Sequence, residues 1–230
     1  MQNYELWFVN NSQNGGQACV YLDSSGVQGN NGEPDILAWM VQGANPNVAV
    51  RFLWTLSDCF LWVQDDPRAQ QIQAADLTTE NTITLSFNDF GFLFQSPTTG
   101  TGDTLQILMD GSIPVGADAV AGIGLHNAGV YAYSVAPNQT LTFTPSSPPP
   151  YRLSFGNYNY TVNDVINPSS LNSPCDISFP ANQYVMTATL GQDNAWTVTS
   201  GPPVSILAME RIYYEAGKGV VSSAEPPARI

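Results

Sequence analysis

Val48-Ala49-Val50-Arg51-Phe52-Leu53-Trp54-Thr55-Leu56 decides the fold class. Val48, Val50, Phe52, Trp54 and Leu56 fall on one face, and Ala49, Arg51, Leu53 and Thr55 on the other. Side chains alternate across a strand, so a period of two turns one face to an apolar core and the other to water. The pattern recurs at Ile83, Leu85 and Phe87, at Leu141 and Phe143, and at Tyr151, Leu153 and Phe155, each interleaved with Thr, Ser or Arg. Thr, Val, Tyr, Phe and Trp crowd these runs, as a pleated surface favours.

Turn chemistry separates the runs. Gly191-Gln192-Asp193-Asn194 joins Tyr184–Leu190 to Ala195–Val198 as a short hairpin. Asn88-Asp89 turns Ile83–Phe87 back into Phe90–Phe94, and Asp110-Gly111 ends Leu105–Met109. The best helix candidate, Asp65 to Leu77, is short and has a weak apolar stripe, so it is expected as a loop with one or two turns. The expectation is an all-β, antiparallel β-sandwich with little helix, as one large body or two packed lobes.

Thr144 to Pro150 reads Thr-Pro-Ser-Ser-Pro-Pro-Pro, and three prolines in a row cannot pair inside a sheet. A boundary is placed there. Residues 1–147 form a β-sandwich lobe, 148–216 a second β lobe or completing strands, and 217–230 a flexible tail. Tyr4 to Asn10 and Tyr151 to Asn157 both read Tyr-x-Leu-x-Phe-x-Asn. Two related sheets in one body would explain the echo, and so would chance.

Nineteen acidic residues stand against six basic ones, giving a formal net charge of −13. Such a chain repels phosphate backbones and anionic headgroups, so neither nucleic acid nor membrane is an expected partner. The N-terminus, Met1-Gln2-Asn3-Tyr4-Glu5-Leu6-Trp7-Phe8, shows no secretory pattern and enters a strand directly. A cytoplasmic location is expected, with signal-less export as the alternative. Cys19, Cys59 and Cys175 are widely spaced and read as buried thiols rather than zinc ligands.

Catalytic apparatus is sparse. His126, the sole histidine, sits in a glycine-rich stretch without a Gly-x-Ser-x-Gly elbow, which reads as structural. No catalytic residue, metal site or cofactor is expected. Binding chemistry is better supplied, because aromatic rings beside amides and carboxylates suit sugar C–H faces and hydroxyls. Trp39, and Trp62 followed by Gln64-Asp65-Asp66, carry that pattern. Trp39, Trp62, Asp65 and Asp66 are therefore the candidate ligand-binding residues, and Trp196 beside Gln192-Asp193-Asn194 is similar. The leading expectation is a non-enzymatic protein whose partner is a carbohydrate or another protein. A structural or self-associating protein without a small ligand, and a glycoside-active enzyme working through carboxylates without histidine, stay open beside it.

Ordered blocks run along the chain. They are Leu6-Trp7-Phe8-Val9-Asn10-Asn11-Ser12 with Gly16-Gln17-Ala18-Cys19-Val20-Tyr21, and Leu37-Ala38-Trp39 with Phe52-Leu53-Trp54-Thr55 through Phe60-Leu61-Trp62. Ala75-Asp76-Leu77, Ile83-Thr84-Leu85-Ser86-Phe87 and Phe155-Gly156-Asn157-Tyr158 follow. Phe179-Pro180-Ala181-Asn182 and Met186-Thr187-Ala188-Thr189-Leu190 close the array. The array resembles the RhiA family, named for a rhizosphere-expressed protein of rhizobia, and the resemblance implies a signal-less bacterial or fungal protein, with quorum-regulated expression near roots known for the founding member. It carries over no catalytic or binding residue.

Overall fold

The computed structural model describes residues 2–64, 69–100, 102–204 and 209–224. These residues form four sheets, and two three-residue 3-10 turns are the only helical elements among them. None of those elements is long and apolar enough to cross a membrane as a helix.

The first sheet is ordered Trp196–Ser200, Val185–Leu190, Asn3–Asn10, Val48–Thr55, Glu210–Glu215, Gly219–Ala224. The second is Gly91–Phe94, Thr82–Asn88, Leu105–Met109, Thr140–Pro145, Val27–Gly29. The third is Val165–Ile166, Asp35–Leu37, Ala128–Ser134, Ala119–Leu125, Asp58–Gln64, Ala69–Ala74. The fourth is Cys175–Ile177, Tyr151–Gly156, Gly16–Leu22, Met40–Ala44. Most pairings are antiparallel. Asn3–Asn10 with Val185–Leu190, Val48–Thr55 with Glu210–Glu215, and Thr82–Asn88 with Leu105–Met109 are parallel. The fold is all-β.

The alternation at Val48–Thr55 holds on the inner face, but Ala49 on the other face is also buried, in a second apolar cluster with Trp7, Val9 and Met209, and Leu56, expected inward, is exposed. Val48, Val50, Phe52 and Trp54 are buried, while Arg51, Leu53 and Thr55 are half-buried. Arg51 uses its outer position to meet Glu5 on the neighbouring strand at 2.5 Å. One continuous apolar cluster takes residues from all four sheets, including Phe52, Phe60, Ile83, Leu153 and Met186. Burial on that scale, at about 25 cal/mol per Å² of apolar surface, is the main force holding sheets of this kind together.

The chain crosses the proline segment without leaving this core. Strands after it pair with strands before it: Tyr151–Gly156 with Gly16–Leu22, and Val185–Leu190 with Asn3–Asn10. The segment is stitched down by Ser146 N–H donating to Gly26 O at 2.8 Å and Asp23 N–H donating to Pro150 O at 3.0 Å. The two strands that echo each other, Asn3–Asn10 and Tyr151–Gly156, lie in different sheets, and Phe8 and Phe155 bring them together with ring centroids 5.1 Å apart.

Two stretches differ from the sequence reading. Ala69–Ala74 is a strand along Asp58–Gln64, not a helical loop; Asp65 to Arg68 lie outside the described residues. Its glutamines have no strand preference of their own, but Gln71 Oε1 accepts from Trp62 Nε1 at 3.2 Å and from Phe94 N–H at 2.9 Å. Gln70 Oε1 accepts from Asn163 Nδ2 at 2.8 Å. Tertiary partners override weak local propensity there. Within the expected tail, Gly219–Ala224 pairs with Glu210–Glu215 as an edge strand.

Candidate functional site

Among the five tryptophans, Trp7, Trp39, Trp54 and Trp62 are buried and Trp196 is not. Trp39 is 0% exposed because every residue from Leu37 to Met40 turns inward. Its Nε1 donates to Leu125 O at 2.9 Å, and its ring stands 5.2 Å from Trp54 and 5.9 Å from Tyr151. Trp62 is 6% exposed and packs on Phe92 with centroids 5.6 Å apart. Neither ring offers a face to a ligand from solvent. Asp65 and Asp66 lie outside the described residues.

Trp196 opens a strand at the end of the Gly191–Asn194 turn and lines a cleft of about 510 Å³. Asn14, Asn157, Asn172 and Asn194 line the same cleft, with Phe155 and Leu190 as apolar floor. Among the described residues no charged side chain lines it, in a chain of net charge −13.

Each wall is set by polar bonding, buried at Asn10 and nearer the surface elsewhere. Asn10 is 0% exposed at the end of its strand. Its Nδ2 donates to Asn14 O at 2.9 Å and Ala44 O at 3.1 Å, and its Oδ1 accepts from Ser12 N–H at 3.1 Å and Ser12 Oγ at 2.7 Å. A buried amide must be satisfied, and these four bonds fold the loop that presents Asn14. Across the cleft, Gly191 N–H donates to Ala195 O at 2.9 Å, and Asn194 takes the left-handed conformation, φ +58°, that asparagine tolerates. Asn14 Nδ2 reaches Asn194 Oδ1 at 3.5 Å.

The third wall hangs on Ser154. Its hydroxyl donates to Asn172 O at 2.8 Å and lies 2.7 Å from the Tyr158 hydroxyl, which accepts from Asn172 N–H at 2.6 Å. Gly156 is required beside it, because a Cβ there would lie 2.5 Å from Asn172 Nδ2 and 2.9 Å from the Tyr158 ring. Trp196 Nε1 donates to Ser173 O at 2.9 Å, and its ring packs on Phe8 with centroids 5.8 Å apart. The indole is thereby fixed in orientation. The side-chain amides of Asn157 and Asn172, both exposed residues on the cleft lining, have no hydrogen-bond partner among the described residues.

A larger cleft of about 600 Å³ lies beside the prolines. Tyr4 packs there on Phe179 and Tyr184 at 5.2 and 5.6 Å. Its cation, Arg152, is held between Asp23 at 3.2 Å and Asp176 at 3.1 Å. Burial works against the Asp23 carboxylate, yet the Ser25 hydroxyl and N–H and the Arg152 guanidinium keep its pKa below the usual value. Arg152 is thus spent on Asp23 and Asp176, while the side chains of Ser178, Asn182 and Gln183 on this lining have no hydrogen-bond partner among the described residues; the cleft differs from the Trp196 cleft in being lined by charge.

His126 and Asn127 form the tight turn between Ala119–Leu125 and Ala128–Ser134, with φ +49° and +62°. His126 Nδ1 accepts Thr55 N–H at 3.1 Å and lies 2.7 Å from Thr55 Oγ1; Nε2 lies 3.3 Å from Glu215 Oε1. The ring ties three strands together. Cys19, Cys59 and Cys175 are free and buried, and burial pushes the first two thiols to about 12 and the third to about 11. Among the described residues no group of three His, Cys, Asp or Glu is placed to hold a metal ion.

The fold and the cleft define an all-β protein with a neutral, amide-walled recess around one fixed indole. The family model RhiA matches residues 1–201, and the chain belongs to the RhiA family. The comparisons with curated proteins and with solved structures found no match.

Proposed function

We propose that the protein is a non-enzymatic binding protein whose Trp196 cleft takes a neutral carbohydrate. The observation that carries this reading is the cleft's lining: one orientated indole, four asparagines and no charge. An aromatic face packs against the C–H face of a pyranose ring. Primary amides supply both a donor and an acceptor, which suits neighbouring hydroxyls. The absence of charge favours an uncharged ligand, since a neutral site gains nothing from the ionic group of an anion or cation. Two of the amides are free of protein partners, so binding need not break an existing bond.

A glycan array followed by calorimetry tests the reading. Submillimolar affinity for a neutral saccharide, lost in Trp196→Ala while the far-ultraviolet circular dichroism is unchanged, is expected. No saccharide binding tighter than millimolar would remove it.

A further inference from the structure

On the other side of the proline segment lies a smaller recess of about 200 Å³. Leu22, Leu77, Ile123, Leu125 and Val130 make its walls, and Pro149 separates it from the larger cleft. Asp58, at the start of its strand, is the only carboxylate on this lining among the described residues. The other ionisable side chain there, Tyr131, is committed: its hydroxyl donates to Asp23 O at 2.5 Å. The Asp58 carboxylate has no hydrogen-bond partner among the described residues. Leu56 stands at the mouth, 38% exposed.

From this geometry we infer a second ligand site, in which the recess binds a small primary amine bearing one aryl or short alkyl group. The walls take the apolar group, and the ammonium donates to Asp58. Three observations select a cation. A half-buried carboxylate beside apolar walls has no cation paired with it, and an ammonium supplies both opposite charge and donors. Burial first, and the nearby Asp76 second, hold the Asp58 carboxyl at about 6, so it is ionised at neutral pH in a place that penalises ionisation. Asp76 is exposed and accepts Thr78 N–H at 2.8 Å and Thr79 N–H at 3.0 Å on one oxygen, so it remains charged and adds to the negative potential around Asp58. The chain's net charge of −13 raises the local concentration of cations around it. The volume suits a ligand of roughly one ring, well below the usual drug-sized pocket of ~300–1,000 Å³.

Benzylamine and its neutral counterpart benzyl alcohol are the probes, titrated into the full chain at pH 7.5 and followed by calorimetry and amide chemical shifts. Benzylamine is expected to bind about tenfold tighter than benzyl alcohol, a ratio set by the charge-assisted bond. The shifts should centre on Leu56, Asp58, Leu125 and Val130. Asp58→Asn is expected to erase the preference. Leu56→Trp, which fills the mouth from an exposed position, is expected to block both probes, and it keeps the test decisive should the Asn variant fold poorly. Equal binding of the two probes, no binding, shifts centred elsewhere, or a preference that survives in Asp58→Asn would each overturn the assignment.

Discussion

Replacing Asp58 with Asn is expected to stabilise the unliganded protein at pH 8. The native carboxyl titrates at about 6, against an ordinary value of 3.8, because burial and then Asp76 disfavour its charge. A raised native pKa means that the folded state holds the proton more tightly than the unfolded chain. The resulting stabilisation is complete below pH 3.8 and is lost as pH rises through about 6. Roughly two pKa units at about 1.4 kcal/mol each give an upper limit of about 3 kcal/mol against the ionised form. Solvent at the open side of the recess lowers this to about 1–2 kcal/mol. The neutral amide keeps the size of the side chain and carries no charge, so urea unfolding at pH 8 should show Asp58→Asn more stable by that amount. Near pH 4 the gain should fall below about 1 kcal/mol. A variant that is less stable than the parent at pH 8, or equally stabilised at both pH values, would show that the carboxylate is paired or well hydrated.

Asn10→Ala removes four hydrogen bonds, three of them buried, and should cost about 2–4 kcal/mol in urea unfolding while abolishing saccharide binding through the loss of Asn14; an unchanged midpoint would contradict the role given to Asn10. Gly156→Ala pushes a Cβ into Asn172 and Tyr158, so calorimetry should show at least about tenfold weaker saccharide affinity with native circular dichroism; unchanged affinity would separate Asn172 from the cleft. Because burial raises all three thiols, 5,5′-dithiobis(2-nitrobenzoate) at pH 8 should label none of them in the native protein and all three in urea. Rapid labelling of the native protein would contradict their burial.

Much of the fold could be read from residues whose local and tertiary demands agree. The alternation Val48, Val50, Phe52, Trp54 marks a strand wherever it is placed, and glycine and asparagine at Gly191–Asn194 mark the hairpin. Ala69–Ala74 was illegible because its glutamines acquire strand character only from Trp62, Phe94 and Asn163. Two of the parallel pairings were equally hidden, since nothing in one strand names a partner more than a hundred residues away. The site was half legible. A tryptophan beside an amide-rich turn is a visible signal, and Trp196 carries it as clearly as Trp62 does. Choosing between them needs burial, and Trp62 is covered by Phe92, a residue from another sheet. Asn14, Asn157 and Asn172 gave no signal, because only the folded loops bring them together.

Indole and amide NMR of the five tryptophans offers the sharpest check on saccharide binding. Glucose, galactose, N-acetylglucosamine and their β-linked dimers are titrated into the labelled protein. At least one should shift the Trp196 indole N–H together with the side-chain amides of Asn157 and Asn172, leaving the buried Trp39 and Trp54 indoles still. Shifts at Trp39 or Trp62 without Trp196, or none with any saccharide, would contradict it.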